Sequence, residues 1–251
     1  DSSTLRDCID YANSNPGTTI TFDNSLANST ITLASALPAL TANGTRIMNT
    51  TGGEITIDGN DSDFDCFTIR SANNVISGLS IVNCYGISDP AGIFITTAAA
   101  TGNTVKDCNI GTNEAGQSGL GNSSGVKIGG GPTNNTIGSA VPAERNIISG
   151  NNYGIRIQTA NGNHVIGNYI GTDPTGSSAL SNYIGVELWN AANNTIGGAS
   201  AGRGNVISGN IADAVSISVA GSTGNTVIGN YIGVTAAGTA RLANFDGVHI
   251  Y

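Results

Sequence analysis

The feature that most constrains this chain is a short phrase that returns at nearly fixed intervals. It reads GIFI at 92, GVKI at 125, GIRI at 154, GVEL at 185, AVSI at 214 and GVHI at 247, with spacings of 33, 29, 31, 29 and 33 residues. Each copy alternates apolar and other positions, the period of a half-buried strand. A longer segment repeats at twice the interval. NHVIGNYIGTDPTGSSALSN at 163–182 returns as NTVIGNYIGVTAAGTARLAN at 225–244, and a blurred copy, NTVKDCNIGTNEAGQSGLGN, stands at 103–122. The unit is therefore about 30 residues long, and the 60- and 62-residue copies are pairs of units.

Each unit holds two further strand-like pieces. One is led by Asn74, Asn103, Asn135, Asn163, Asn194 and Asn225, followed two residues on by Ile76, Val105, Ile137, Val165, Ile196 and Val227. The other carries Ile81, Ile110, Ile148, Ile170, Ile207 and Ile232. Three short strands per unit, with Gly and Asn between them, suit a coil with three faces. One such coil cannot bury its apolar face alone, so the units stack as a solenoid. Asn at the same corner of successive coils predicts an internal ladder of side-chain amides. Asn and Gly also tolerate the left-handed backbone that tight corners require. The loop G-x-x-x-x-G-x-x-x-L-x-N, seen at 111–122, 171–182 and 233–244, places Leu120, Leu180 and Leu242 to tuck back against the stack.

Composition fits this reading and excludes others. Of the 251 residues 39% are hydrophobic and only 10% charged, against the balance that produces disorder. The net charge is −8 with no basic run, so nucleic acid is not an expected partner. No apolar stretch approaches membrane-span length. The chain opens DSSTLRD, without a signal peptide, as a mature secreted protein or a trimmed chain would. Cys8, Cys66, Cys84 and Cys108 show no CxxC pair, no zinc spacing and no repeat register, and are read mainly as buried thiols.

These motifs resemble the right-handed parallel β-helix of pectate lyases, rhamnogalacturonases and phage tailspikes over about residues 45–251. The opening TLRDCIDYANSNPGTTITF (4–22) is similar to the SLRxAIxxAN…PG…TIxF entry segment of large bacterial surface or secreted β-helical repeat proteins, and ITLASALPAL and EITIDGN follow in that group's order. The expected architecture is an all-β, single-domain β-helix of three strands per coil. Residues 1–44 form an N-terminal cap, with a helix at 3–13 and entry strands, and 45–251 form the repeats. Ser2 or Ser3 would cap the helix, Leu5, Cys8, Ile9 and Ala12 would make its apolar face, and Pro16-Gly17 would end it. Its role is to cover the first coil. The chain stops after another strand phrase at Tyr251, so Val248 and Ile250 are expected either to be covered by more chain or to support end-to-end self-association.

In a GVEL strand the second and fourth residues face inward and the third outward. The outward row is Phe94, Lys127, Arg156, Glu187, Ser216 and His249. Stacked-strand faces bind substrate in β-helical polysaccharide lyases and hydrolases, which makes Lys127, Arg156 and Glu187 the candidate catalytic set: two cations for a uronate and one acid or base. The competing reading is a structural Arg156–Glu187 pair, since Glu187 has no second carboxylate on its row to form a glycosidase pair. The acidic run EITIDGNDSDFD offers Asp58, Asp61, Asp63 and Asp65, beside Glu54, as a candidate calcium site, although it lacks the EF-hand pattern and also reads as a solvated turn. Trp189 is the only tryptophan; with Gln158 and Tyr251 it forms a candidate sugar-contacting set, against the alternative that it packs under a neighbouring loop.

The reading that follows is a non-catalytic secreted or cell-surface segment acting as stalk, adhesin or glycan-contacting module, extracellular, without a required cofactor. A polysaccharide lyase or hydrolase and an end-to-end assembly module are the alternatives.

Overall fold

The computed structural model describes residues 4–251. The chain is a right-handed parallel β-helix of about eight coils of roughly 29 residues, preceded by one short helix. Three parallel sheets of eight, eight and seven strands run the length of the stack. The first runs from Thr19–Thr21 to Thr226–Ile228, the second from Ser29–Thr32 to Tyr231–Ile232, and the third from Phe67–Ile69 to Asp246–Ile250. The entry strands Thr19–Thr21 and Ser29–Thr32 pair directly with Arg46–Met48 and Ile55–Asp58, so they are the first rungs of the same sheets.

The two apolar series named in the sequence stack as columns. Ile47, Ile76, Val105, Ile137, Val165 and Ile196 fill one face of the interior, and Ile57, Ile81, Ile110, Ile148, Ile170 and Ile207 a second. The third sheet adds Val126, Ile155, Val186 and Val215 and, two residues on, Ile128, Ile157, Leu188 and Ile217. The glycine that opens most of these strands answers to a close approach between coils. A Cβ at Gly125, Gly154 or Gly185 would stand 2.6, 2.6 or 2.5 Å from the next coil's carbonyl oxygen, nearer than carbon tolerates.

The expected asparagine ladder is present. Nδ2 of Asn74, Asn103, Asn135, Asn163 and Asn194 each donates to Oδ1 of the next asparagine up to Asn225, at 2.9–3.2 Å. The same oxygens accept the backbone N–H of the preceding asparagine. Two further ladders were not expected. Asn122, Asn151, Asn182, Asn210 and Asn244 form one, and Asn146, Asn168, Asn205 and Asn230 the other. Such an amide gives a buried corner matched donors and acceptors, which a buried backbone turn needs.

The cysteines require a correction. Cys66 and Cys84 form a disulfide, with 6.0 Å between their Cα atoms, while Cys8 and Cys108 are free. Cys84 and Cys108 also hold a repeat register: their N–H groups donate to Asn122 and Asn146, so they occupy ladder positions one coil before those ladders begin. Burial pushes the Cys108 thiol up to about 12, so it is inert at neutral pH.

The helix spans Leu5–Ser14 rather than 3–13. Thr4 is its cap, in a reciprocal capping box with Asp7; Ser2 and Ser3 lie outside the described residues. Ile9 and Ala12 are fully buried against the first coil, and Leu5 and Cys8 partly so. Arg6 donates to the carbonyls of Ser35 and Ala36, and Asn13 bridges Ala39 and Thr41, tying the helix across the end of the stack. Leu180 is buried and Leu120 and Leu242 half-buried; their carbonyls accept from Gly150, Asn83 and Gly209 on the stack. Among the described residues no helix is long and apolar enough to cross a membrane.

Candidate functional site

The outer face of the third sheet follows the expected register. Phe94, Lys127, Arg156, Glu187, Ser216 and His249 occupy successive rungs of one row. Gly129, Gln158, Trp189 and Ser218 occupy the row two residues on, and the backbone N–H of Tyr251 bonds to Ile217 beside Ser218.

The candidate catalytic set is brought together, but as a closed ion-pair network. Arg156 Nε donates to Glu187 Oε2 at 2.5 Å. Asp89, in the turn before the strand Ala91–Thr96, reaches over the row. Its Oδ2 accepts from Lys127 Nζ at 2.7 Å and from Arg156 Nη1 at 2.8 Å, while its Oδ1 accepts from Ser124 Oγ at 2.8 Å. With its amide oxygen turned toward Arg156, Gln158 accepts from Nε and Nη2 at 3.0 Å. The guanidinium also lies over the Tyr153 ring at 4.2 Å, and Lys127 lies 5.5 Å from the Phe94 ring. Burial opposes the charge on Arg156, but Glu187 and Asp89 outweigh it and the pKa of Arg156 is raised. Glu187 is 6% exposed. Both cations are therefore satisfied from within, and neither is presented to a uronate.

A second carboxylate, Asp89, reaches Arg156 from off the row. It comes from a turn outside the repeat, and Asp89 and Glu187 flank Arg156 rather than an open space. A glycosidase pair needs room between its carboxylates for a scissile bond; here a guanidinium occupies that place.

The acidic run does not converge. Asp58 accepts from Asn60 N–H and Asn83 Nδ2, Asp63 from Ser88, and Asp65 from Ala91 N–H, while Asp61 is exposed. Glu54 is held by Ser80 and Glu114. Among the described residues these acids form no group that could hold one ion.

The sugar-contacting candidates separate into two kinds. Gln158 is engaged by Arg156. Trp189 and Tyr251 instead line one open groove of about 530 Å³ with Ile184, Glu187, Ser216, Ser218 and Val219. The indole is 44% exposed, so it does not pack under a loop, and Tyr251 is 70% exposed. Tyr251 stacks on His249 with ring centroids 3.9 Å apart. Ser218 stands between the two aromatics, which two strand spacings set about 10 Å apart. Among the described residues the hydroxyls of Ser216 and Ser218 make no hydrogen bond. The groove thus combines two exposed aromatic plates with two unbonded hydroxyls on a nearly buried floor, Ser216 being 3% and Ser218 9% exposed.

No family model matches the chain, and no curated protein matches it in sequence.

Proposed function

We propose that this chain is a non-catalytic, extracellular β-helical segment that contacts glycans through the Trp189–Tyr251 groove. The observation that carries the reading is the pairing of exposed aromatic faces with unbonded serine hydroxyls, beside the matched charges of Lys127, Arg156 and Glu187. Sugar rings offer C–H faces to aromatic plates and hydroxyls to polar neighbours. The rigid stack, roughly 38 Å long for eight rungs, suits a stalk or adhesin that displays such a groove. The Cys66–Cys84 disulfide supports an oxidising compartment, as does the resemblance of residues 4–22 to bacterial surface proteins.

The test is glycan-array binding by the chain and by Trp189→Ala. The variant should lose binding by at least about tenfold, as expected when a central aromatic contact is removed, with an unchanged CD spectrum. Absence of glycan binding by the parent, or equal binding by the variant, refutes the groove. A polysaccharide lyase or hydrolase is the second reading, favoured by the gathering of Lys127, Arg156, Asp89 and Glu187 on one stacked-strand face. On polygalacturonate the chain should release no unsaturated product. Release that stops in Glu187→Gln would replace the binding reading with the enzymatic one.

A further inference from the structure

One buried carboxylate on this sheet lacks the compensation that Asp89 and Glu187 receive. Asp89 has Lys127 and Arg156, and Glu187 has Arg156. Asp213 is 4% exposed, yet among the described residues no lysine or arginine lies within ion-pair distance of it. No hydrogen bond reaches its Oδ1, and its Oδ2 has only the Tyr251 hydroxyl at 3.5 Å. A buried, unpaired carboxylate is costly. Its neighbour one rung along makes matters worse, since Asp213 pairs in register with Asp246, and like charges on adjacent rungs repel.

The third member faces both acids. His249 Nδ1 is 3.5 Å from Asp213 Oδ1 and 3.4 Å from Asp246 Oδ2, is closed off from solvent, and has no hydrogen-bond partner. One ligand atom from each of the three residues lies within 4.8 Å of the others. From these observations the geometry points to a divalent metal site formed by Asp213, Asp246 and His249. A dication between the three atoms neutralises the buried acid, removes the repulsion on the ladder and uses the imidazole lone pair.

The donor set selects the metal class. A neutral imidazole nitrogen with two carboxylates suits a first-row transition ion such as zinc, whereas calcium and magnesium favour all-oxygen sets. Ligands about 2.0–2.1 Å from a tetrahedral zinc stand about 3.3–3.4 Å from each other, close to the 3.5 and 3.4 Å from His249 Nδ1 to the two carboxylates, while the carboxylate oxygens lie within 4.8 Å of one another. Three protein ligands also leave a fourth position for water or another donor. The site joins the strand Asp213–Ser218 to Asp246–Ile250, so the ion would clamp these two rungs together.

The probe is Zn²⁺, titrated calorimetrically into the untagged, chelator-stripped 251-residue chain. One equivalent should bind, and Co²⁺ at the same site should give the strong visible absorption of a tetrahedral complex. His249→Ala and Asp246→Asn alter partly exposed side chains, so both should keep the CD spectrum while weakening binding by more than about tenfold. His164→Ala, at the only other histidine, should leave binding unchanged. No stoichiometric uptake overturns the assignment, as does uptake that survives His249→Ala in a folded chain. Uptake of Ca²⁺ but not Zn²⁺ overturns the metal class.

Discussion

A single side chain type, asparagine, carries much of the specification of this molecule. Oδ1 of Asn163 accepts both the N–H and the Nδ2 of Asn135, at 3.0 and 2.9 Å, in a fully buried corner. Asn163→Ala leaves two buried donors unmet and should cost about 3 kcal/mol in denaturant unfolding, since an orphaned donor costs about 1–3 kcal/mol. Asn152→Ala, on an exposed neighbour, should stay within about 0.5 kcal/mol; equal effects at both sites would remove the ladder's claim to importance. This ladder was legible because its asparagines sit at a constant two-residue lead over an apolar series. One of the other two was legible in principle: Asn146, Asn168, Asn205 and Asn230 each stand two residues before a column isoleucine. The early coils, where Leu79 and Cys108 take that place, blur the pattern. Asp89 gave no such signal, because it lies in a turn outside the repeat register and acts on residues 38 and 67 positions away. Asp65 is a second residue with a measurable signature. Burial pushes its carboxyl above the ordinary 3.8, against a hydrogen bond from Ala91 and the attraction of Lys127. The folded state then holds the proton more tightly than the unfolded one. The associated stability is full below 3.8 and is lost as pH rises through the raised value. Asp65→Asn keeps an acceptor for Ala91 and cannot ionise. Its unfolding midpoint should exceed the parent's at pH 7, and the two should converge below about pH 3; a gap independent of pH would contradict this.

Among the elements, the repeated strands and the helix stand in different relations to the sequence. Strands with a period-2 pattern and a shared glycine align in the sequence itself, and their registers follow that alignment, because a one-residue slip would turn every apolar side chain outward. The helix boundary was less exact. Thr4 rather than an earlier serine caps it, since Asp7 three residues on completes the reciprocal bonds. In a solenoid each coil contacts mainly its neighbours, so damage at one end stays near that end. Ile9→Ala, which empties a fully buried site between helix and first coil, should cost about 2–4 kcal/mol. Amide exchange should quicken in the strands Thr19–Thr21 and Arg46–Met48 while Tyr153–Gln158 stays protected. Uniform loss of protection along the stack would mean that the molecule opens as one unit instead.

At the scale of the whole molecule, the two ends of the described chain differ. The helix covers the first coil. On the last coil Phe245 is 82% exposed, Val248 44% and Ile250 72%. These apolar groups adjoin an outermost strand, Asp246–Ile250, paired on one side only. Such an edge is a template for a further strand, and a second copy of the chain is the simplest source of one. Each copy carries a net charge of −8, so approach is opposed at long range. Salt screens that repulsion, with a Debye length of about 10 Å at 0.1 M and about 3 Å at 1 M, and leaves apolar contact intact. The 251-residue chain should therefore associate reversibly in sedimentation experiments, more strongly as concentration and ionic strength rise. Ile250→Lys should shift it toward monomer while the CD spectrum is preserved. A parent chain that stays monomeric at high concentration and high salt would show that this end does not recruit a second copy. Association that the Ile250→Lys variant retains would place the contact elsewhere on the stack.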